Sequence, residues 1–308
     1  MNSTDIESSA TVTTIRTLIL CIIMLLTIIG NSFTLAMIYL NESLHTKTYI
    51  FVVNLAIADL LNGLLIVPIM FTASVSGEWP FVLWFCQVSG VITAQLCLTS
   101  IATLCAIALE RYHSIINPLV YESKMSNTNV VILLSWTWVQ PFIFSMLPIL
   151  GWGSYVYVPF IFTCVTPWGE NPTFTIALFL SCMFIPYAVT VKIYYHIGRL
   201  TFRQLKQVNL TNSVPKSTTN DSSRLKAEFK SALVFAIVLG TFTICWFPYQ
   251  IIMVCQLSNA TLPNWFLTVA AWLAVLNSSC NPIIYCLMNR QFRNGFRKCM
   301  RQLGLRST

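Results

Sequence analysis

Charge is scarce in this chain of 308 residues: Asp, Glu, Lys and Arg make up 9% of it, where soluble domains carry about 25%. No charged residue occurs between Leu83 and Leu109, and Asp59, in "NLAIADLL", is the only acid deep within an apolar run. With 56% of residues hydrophobic, a soluble globular domain is excluded. Internal repeats are lacking too, which counts against transporters built from paired halves. Histidines number three, His45, His113 and His196, all toward the ends of separate apolar runs. An intramembrane enzyme would need paired acids or a histidine-rich metal set, so no enzymatic activity is expected. The start of the chain lacks a signal-peptide pattern, because polar residues 1–14 precede the first apolar run.

What is present is hydrophobic length. Seven runs can cross a hydrocarbon core, which takes roughly 20 residues: Ile15–Leu40, Thr48–Ala73, Leu83–Ile116, Asn127–Leu150, Pro172–Ile197, Phe229–Gln256 and Leu262–Leu287. The expected fold is an all-α membrane protein: a seven-transmembrane helix bundle over 15–287, an N-terminal segment over 1–14, and an amphipathic eighth helix with a short tail over 288–308. Prolines inside the runs are tolerated because neighbouring groups in a membrane bundle can satisfy the freed carbonyls.

The net charge of +8 is explained by placement. Every basic residue except Arg16 falls in one set of alternate connecting segments or at the run ends that adjoin them. The positive-inside rule then puts those segments in the cytoplasm and the N-terminus outside, so a nucleic-acid partner is not expected. Asn2-Ser3-Thr4 and Asn259-Ala260-Thr261 are glycosylation sequons on segments expected to face outside. Most of the eleven cysteines lie inside apolar runs, as small hydrophobic filler. Cys86 and Cys164 instead face an oxidising space, where a bridge between them would close a long loop. The connection 151–171 is rich in aromatics and is expected to pack as a lid; 207–223 reads as a flexible linker. In "NRQFRNGFRKCMRQL", Phe292, Phe296 and Met300 recur at spacing four beside arginines, as in a helix lying on a lipid surface. Cys299 there is a palmitoylation candidate.

An acid at the bilayer centre costs about 2.5–3.5 kcal/mol even on the lower scales. Asp59 is therefore read first as an ion or proton site, with a buried polar clasp between helices as the alternative; Asn31, Ser100, Asn277 and Asn281, at similar depth, could add the hard oxygen ligands of a small cation. In "FTICWFPY", Pro248 kinks the sixth run beside Trp246 and Phe242, and "NPIIY" places Tyr285 one turn beyond Asn281-Pro282. The third run ends in an adjacent acid and base, Glu110 and Arg111.

Taken together, these residues resemble the rhodopsin-like (class A) G-protein-coupled receptors. The resemblance covers essentially the whole chain, with a landmark in each run: Asn31, Asp59, Glu110-Arg111-Tyr112, Trp138, Pro186, "CWFP" at 245–248 and "NPIIY" at 281–285. It implies that heterotrimeric G proteins are the partners, with arrestin, receptor kinases and membrane lipid beside them, at the plasma membrane. Arg111 would contact the G protein once released from Glu110 and from Glu228. Tyr194 and Tyr285 would swing inward on activation, and Pro118-Leu119 would present an apolar knob. Asp59, Ser100, Asn277 and Asn281 match the family's allosteric sodium pocket; no other cofactor is implied. Cys86 and Cys164 match its disulfide.

The resemblance also frames the ligand. Aminergic members hold an acid eighteen residues before the arginine, where this chain has Thr93; at 1.5 Å rise that is about 27 Å along the helix, near the outer mouth. The opsin retinal lysine is replaced by Val275. A non-aminergic receptor that does not hold retinal is therefore expected, with a pocket of Thr93, Cys97, Leu178, Cys182, Trp246, Tyr249, Gln250, Met253, Leu267 and Val275. That set is mainly apolar with neutral hydrogen-bonding groups. It suits a neutral small molecule, or a receptor partly active without ligand. A multi-spanning transporter or channel is the competing reading.

Overall fold

The computed structural model describes residues 3–210, 219–289 and 292–295. Seven helices among them are long and apolar enough to cross a membrane: Ala10–Leu40, Lys47–Ser76, Leu83–Ile116, Asn127–Trp152, Pro172–Leu200, Ala232–Leu257 and Asn264–Met288, here the first to seventh helices. The third is the axis of the bundle, packed against the second, fourth, fifth and sixth. Its most apolar window is 67% buried, against 17% for the first helix at the rim. Large side chains left exposed, such as Ile29, Ile244 and Phe247, form the lipid-facing surface that a membrane protein turns outward.

Helix ends run further than hydropathy alone delimits. The first helix begins at Ser3, so residues 3–14 of the expected N-terminal segment are helical. The fifth continues to Leu210 and the sixth resumes at Thr219, which trims the expected linker from both sides. Extending a formed helix costs far less than nucleating one, so polar residues beyond the membrane continue the helix begun by the apolar run.

Prolines shape the helices locally. Wide π turns at Asn62–Ile66 and Phe179–Phe184 lie just before Pro68 and Pro186, where each absorbs a proline ring that clashes with the preceding turn. Pro282 removes the donor that would serve the Ser278 carbonyl. Asn31 replaces it, donating its amide to Ser278 O at 2.9 Å. Helix 1 approaches that closely because residue 30 is glycine: a Cβ there would lie 3.0 Å from Pro282 Cγ. The "GN" pair is thus the dock between the first and seventh helices.

The connection between the fourth and fifth helices folds as a small antiparallel hairpin, β1 (Val156–Val158) and β2 (Thr163–Val165), with Tyr157 opposite Cys164. Cys86 and Cys164 form the disulfide implied by the resemblance, tying the hairpin to the third helix. At the opposite end of the bundle, residues 292–295 are helical. Phe292, expected to face lipid, is instead buried between Tyr49 and Tyr285, with ring centroids at 6.0 and 5.7 Å. It faces the core because the chain turns under the bundle at Asn289, whose amide donates to the Tyr49 hydroxyl at 2.7 Å. Phe296, Cys299 and Met300 lie outside the described residues, as does Asn2.

Candidate functional site

A cavity of about 90 Å³ opens at the hairpin end of the bundle. The second, third, sixth and seventh helices line it with Ile66, Met70, Thr93, Cys97, Trp246, Tyr249, Ala271 and Val275, and Leu178 joins from the fifth. Of the expected pocket, Thr93, Cys97, Leu178, Trp246, Tyr249 and Val275 are brought together. Cys182, Gln250, Met253 and Leu267 are not among the lining residues. Cys182 packs with Leu98, Phe174 and Leu178, because it sits inside the Phe179–Phe184 π turn. One added residue rotates the downstream side chains by about 100°, so helical counting misplaces that face. Gln250 donates its amide to the Met183 sulfur at 3.8 Å, Met253 is buried in the sixth helix, and Leu267 packs on the cluster around Ile161 and Phe162.

The hairpin supplies much of the wall, through Tyr155, Ile161, Thr163, Cys164, Val165, Thr166 and Trp168. Helical periodicity offers no way to find these residues; their only sequence signal was the density of aromatics. No Asp, Glu, Lys or Arg is among the cavity's lining residues. The indole N–H of Trp246 and the hydroxyl of Thr163 are buried without a hydrogen-bond partner, leaving neutral polar atoms available to an occupant. Trp246 also stacks on Phe242 at 5.7 Å and meets Tyr249 edge-on at 5.8 Å. Tyr155 fits a slot on the third helix where residue 90 is glycine: a Cβ there would lie 2.4 Å from its ring. Its hydroxyl donates to Ser145 O at 2.8 Å, and burial raises its pKa above the usual tyrosine range.

Below the cavity lies a polar tract. Asp59 is 1% exposed; its Oδ2 accepts from Asn281 Nδ2 at 2.7 Å, while Oδ1 has no partner. Asn277 Oδ1 is likewise buried and unpartnered, and Ser100 donates to Leu96 O, which leaves its lone pairs free. Unpartnered carboxylate and amide oxygens are hard donors of the kind that hold a small cation. Asn31 is spent on the first–seventh helix dock. Asn62, one turn above Asp59, donates to Ser278 Oγ at 3.1 Å and also lines the cavity.

At the far end, Glu110 and Arg111 are buried, at 0% and 7% exposure. Arg111 donates to Glu110 through Nε at 2.6 Å and Nη2 at 2.8 Å. Thr48 donates to the same carboxylate at 3.0 Å and accepts from Arg111, and the Tyr121 hydroxyl donates to it at 2.8 Å. Burial first, and then the Glu110 charge, hold the Tyr121 pKa above the usual range. Lys47 pairs with Glu122 at 2.5 Å and stands over the Tyr121 ring, fixing the short helix Tyr121–Lys124 against the second helix. Thr48 and Tyr121 were not legible as Glu110 partners, since no periodicity links residues on separate elements. Nearby, Leu119 is 100% exposed after Pro118, and Tyr112 packs with Ile115, Ile193 and Ile197. Tyr194 packs beside the same cluster. Tyr285 is 3% exposed, against Phe235 and Phe292, with its hydroxyl unpartnered. Glu228 is carried on the sixth helix, Thr219–Leu257; its side chain is outside the described set.

The sequence pattern described as "7 transmembrane receptor (rhodopsin family)" matches residues 30–285. The human histamine H2 receptor is 32% identical over 306 residues, covering 95% of this chain and 81% of that receptor. Human 5-hydroxytryptamine receptor 4 is 30% identical over 295 residues, covering 89% and 76%. The crystal structure of squid rhodopsin superposes with a TM-score of 0.85 over 95% of this chain and 86% of that one, at 20% identity; this is a likeness of fold. The two receptors named for amines stand against the expectation of a non-aminergic member. Seven helices in this order, and a match across most of their length, place the chain in the rhodopsin family of seven-transmembrane receptors.

Proposed function

We propose that the chain is a plasma-membrane receptor that activates heterotrimeric G proteins, with the hairpin end outside and the Arg111 end in the cytoplasm. The observation that carries this is the buried Glu110–Arg111 pair. A buried ion pair adds little net stability over an apolar replacement, so one held by four donors beside an open bundle end suits a releasable contact. Release of Arg111, with outward movement of the sixth helix, would expose it to the G protein beside Leu119. Tyr194, Tyr285 and Glu228 are the further switch residues. The test is G-protein activation in cells at matched surface expression: Arg111→Ala is expected to abolish it, and unchanged signalling overturns the assignment.

For the ligand, the absence of charge among the cavity's lining residues supports a neutral, largely apolar small molecule, or signalling partly independent of ligand. A second reading, an amine, is favoured by the names of the relatives. The two separate in an assay of neutral aromatics against their amine-bearing analogues. The neutral reading expects responses to the uncharged partners, and requires Thr93→Asp before the amines act. Asp59, Ser100, Asn277 and Asn281 would hold a sodium ion that favours the resting state. Its chemistry is charge neutralisation beneath the cavity, read as a salt-dependent change in basal signalling. Asn259, exposed at a turn, would carry a glycan, as would Asn2. Cys299 would carry a palmitoyl chain. Arrestin and receptor kinases would act at the Arg111 end.

A further inference from the structure

Cysteines inside the apolar runs read as filler, yet two of them meet. Cys245, on the sixth helix, is 5% exposed, and its thiol is in hydrogen-bonding contact with that of Cys280 on the seventh. Cys280 donates its own hydrogen to Leu276 O at 3.4 Å, so its sulfur is the acceptor in the pair. Both thiols are free, Cys245 buried and Cys280 half-buried. Two small apolar residues would fill the space equally well. Thiols in contact add one property that filler lacks: they can be joined.

The contact lies where both helices are loosened. Cys245 directly precedes Trp246, which stacks on Phe242 at 5.7 Å, and Pro248 follows within the same helix. Cys280 directly precedes Asn281, which donates to Asp59 at 2.7 Å, and Pro282 comes next in the seventh helix. Each proline removes one backbone donor from the turn that carries the cysteine, from Ile244 O in one helix and from Ser278 O in the other. A turn without its full set of hydrogen bonds bends more readily, so the two sulfurs can approach without unwinding either helix.

We propose that Cys245 and Cys280 are a reversible redox site, which hydrogen peroxide converts to a disulfide bonding the sixth helix to the seventh. Peroxide oxidises the more exposed Cys280: a sulfur–oxygen bond forms, the O–O bond breaks, and the thiol hydrogen leaves with the second oxygen as water. Cys245 then attacks the sulfenic sulfur. The S–S bond forms, the S–O bond breaks, and the hydroxyl departs with the Cys245 hydrogen as a second water. Two thiols lose two hydrogens and two electrons, and one peroxide becomes two waters. A small dithiol reverses the bond by exchange. Closing the sulfurs to about 2.05 Å ties the helices together at the level of Trp246 and Asn281. Outward movement of the sixth helix pivots at the nearby Pro248 kink, so the tie holds the resting arrangement. That consequence rests on the G-protein reading above; the bond itself does not.

The test reads chemistry and signalling separately. Full-length receptor in nanodiscs is treated with hydrogen peroxide, its remaining thiols are alkylated, and unreduced peptides are weighed by mass spectrometry. The wild type should yield a Cys245–Cys280 peptide lighter by two hydrogens than its two parts, and dithiothreitol should remove it. Cys245→Ser leaves the sulfenic acid of Cys280 without a partner, so dimedone should capture it there far more than in the wild type. In parallel, the same samples are incubated with nucleotide-free G proteins from several Gα classes. Peroxide should lower capture by the wild type about tenfold, within the usual range of coupling between sites, and dithiothreitol should restore it. Cys245→Ser and Cys280→Ser should each show no such change relative to their own untreated samples. No joined peptide in the wild type, or equal dimedone capture at Cys280 in wild type and Cys245→Ser, overturns the proposal. The joined peptide with unaltered G-protein capture upholds the redox site, and counts instead against the sixth-helix movement assigned above.

Discussion

The two ends of the bundle solve opposite problems with the same seven helices. At the Arg111 end, a buried acid and base are made tolerable by saturation: Glu110 accepts from Arg111, Thr48 and Tyr121. At the hairpin end no charge lines the cavity, and the fit is steric, with Tyr155 against Gly90 and the hairpin residues Ile161 and Phe162 inside the apolar cluster. One end is held by hydrogen bonds that can be exchanged for others, as the switch proposed above requires. The other is held by shape, with rings and apolar side chains packed into one another.

The contrast is broken most severely by Arg111→Ala. Beyond abolishing G-protein activation, it leaves Glu110 buried without its countercharge, a loss of about 3–5 kcal/mol, read as a drop in the melting temperature of the purified receptor. Glu110→Gln with Arg111→Ala should recover part of that stability without restoring signalling. At the shape-held end, Gly90→Val drives a side chain into the Tyr155 ring. It should cost about 1–3 kcal/mol by overpacking and lower the fraction of surface receptor with the disulfide formed, measured by thiol labelling. Asn31→Val probes the core between the ends. It strands the Ser278 carbonyl, at a cost of about 1–3 kcal/mol, and melting should fall with ligand selectivity intact. The smallest effect is expected for Tyr121→Phe, which removes one donor from Glu110 and so about 1 kcal/mol. Basal G-protein activation should rise modestly at matched expression. A larger rise than that from Glu228→Ala would make the Tyr121 contact, and not the sixth helix, the main restraint on Arg111.

Long-range apolar periodicity made the helices legible. The seven runs, their order and the disulfide follow from hydropathy and landmark residues, and the structure carries them all. Legibility fails where a local irregularity resets the count. Leu178, just before the π turn of the fifth helix, faces the cavity as expected, whereas Cys182 within the turn does not. It fails again at the hairpin, whose strands have three residues each, too few to show an alternation. Phe292 teaches a third lesson: spacing identified an apolar face, but the turn at Asn289 decided that the bundle covers this residue.

Asn31 binds Ser278 across a separation of 247 residues. Within its own helix the Asn31 amide has one partner, Thr27 O, and the first helix is synthesised long before the seventh. Its second partner, the carbonyl left vacant by Pro282, arrives only with the seventh helix. A chain stopped before the seventh helix therefore keeps an unsatisfied polar group in lipid. Completion of the ring is written into the first helix as a requirement that the seventh helix meets.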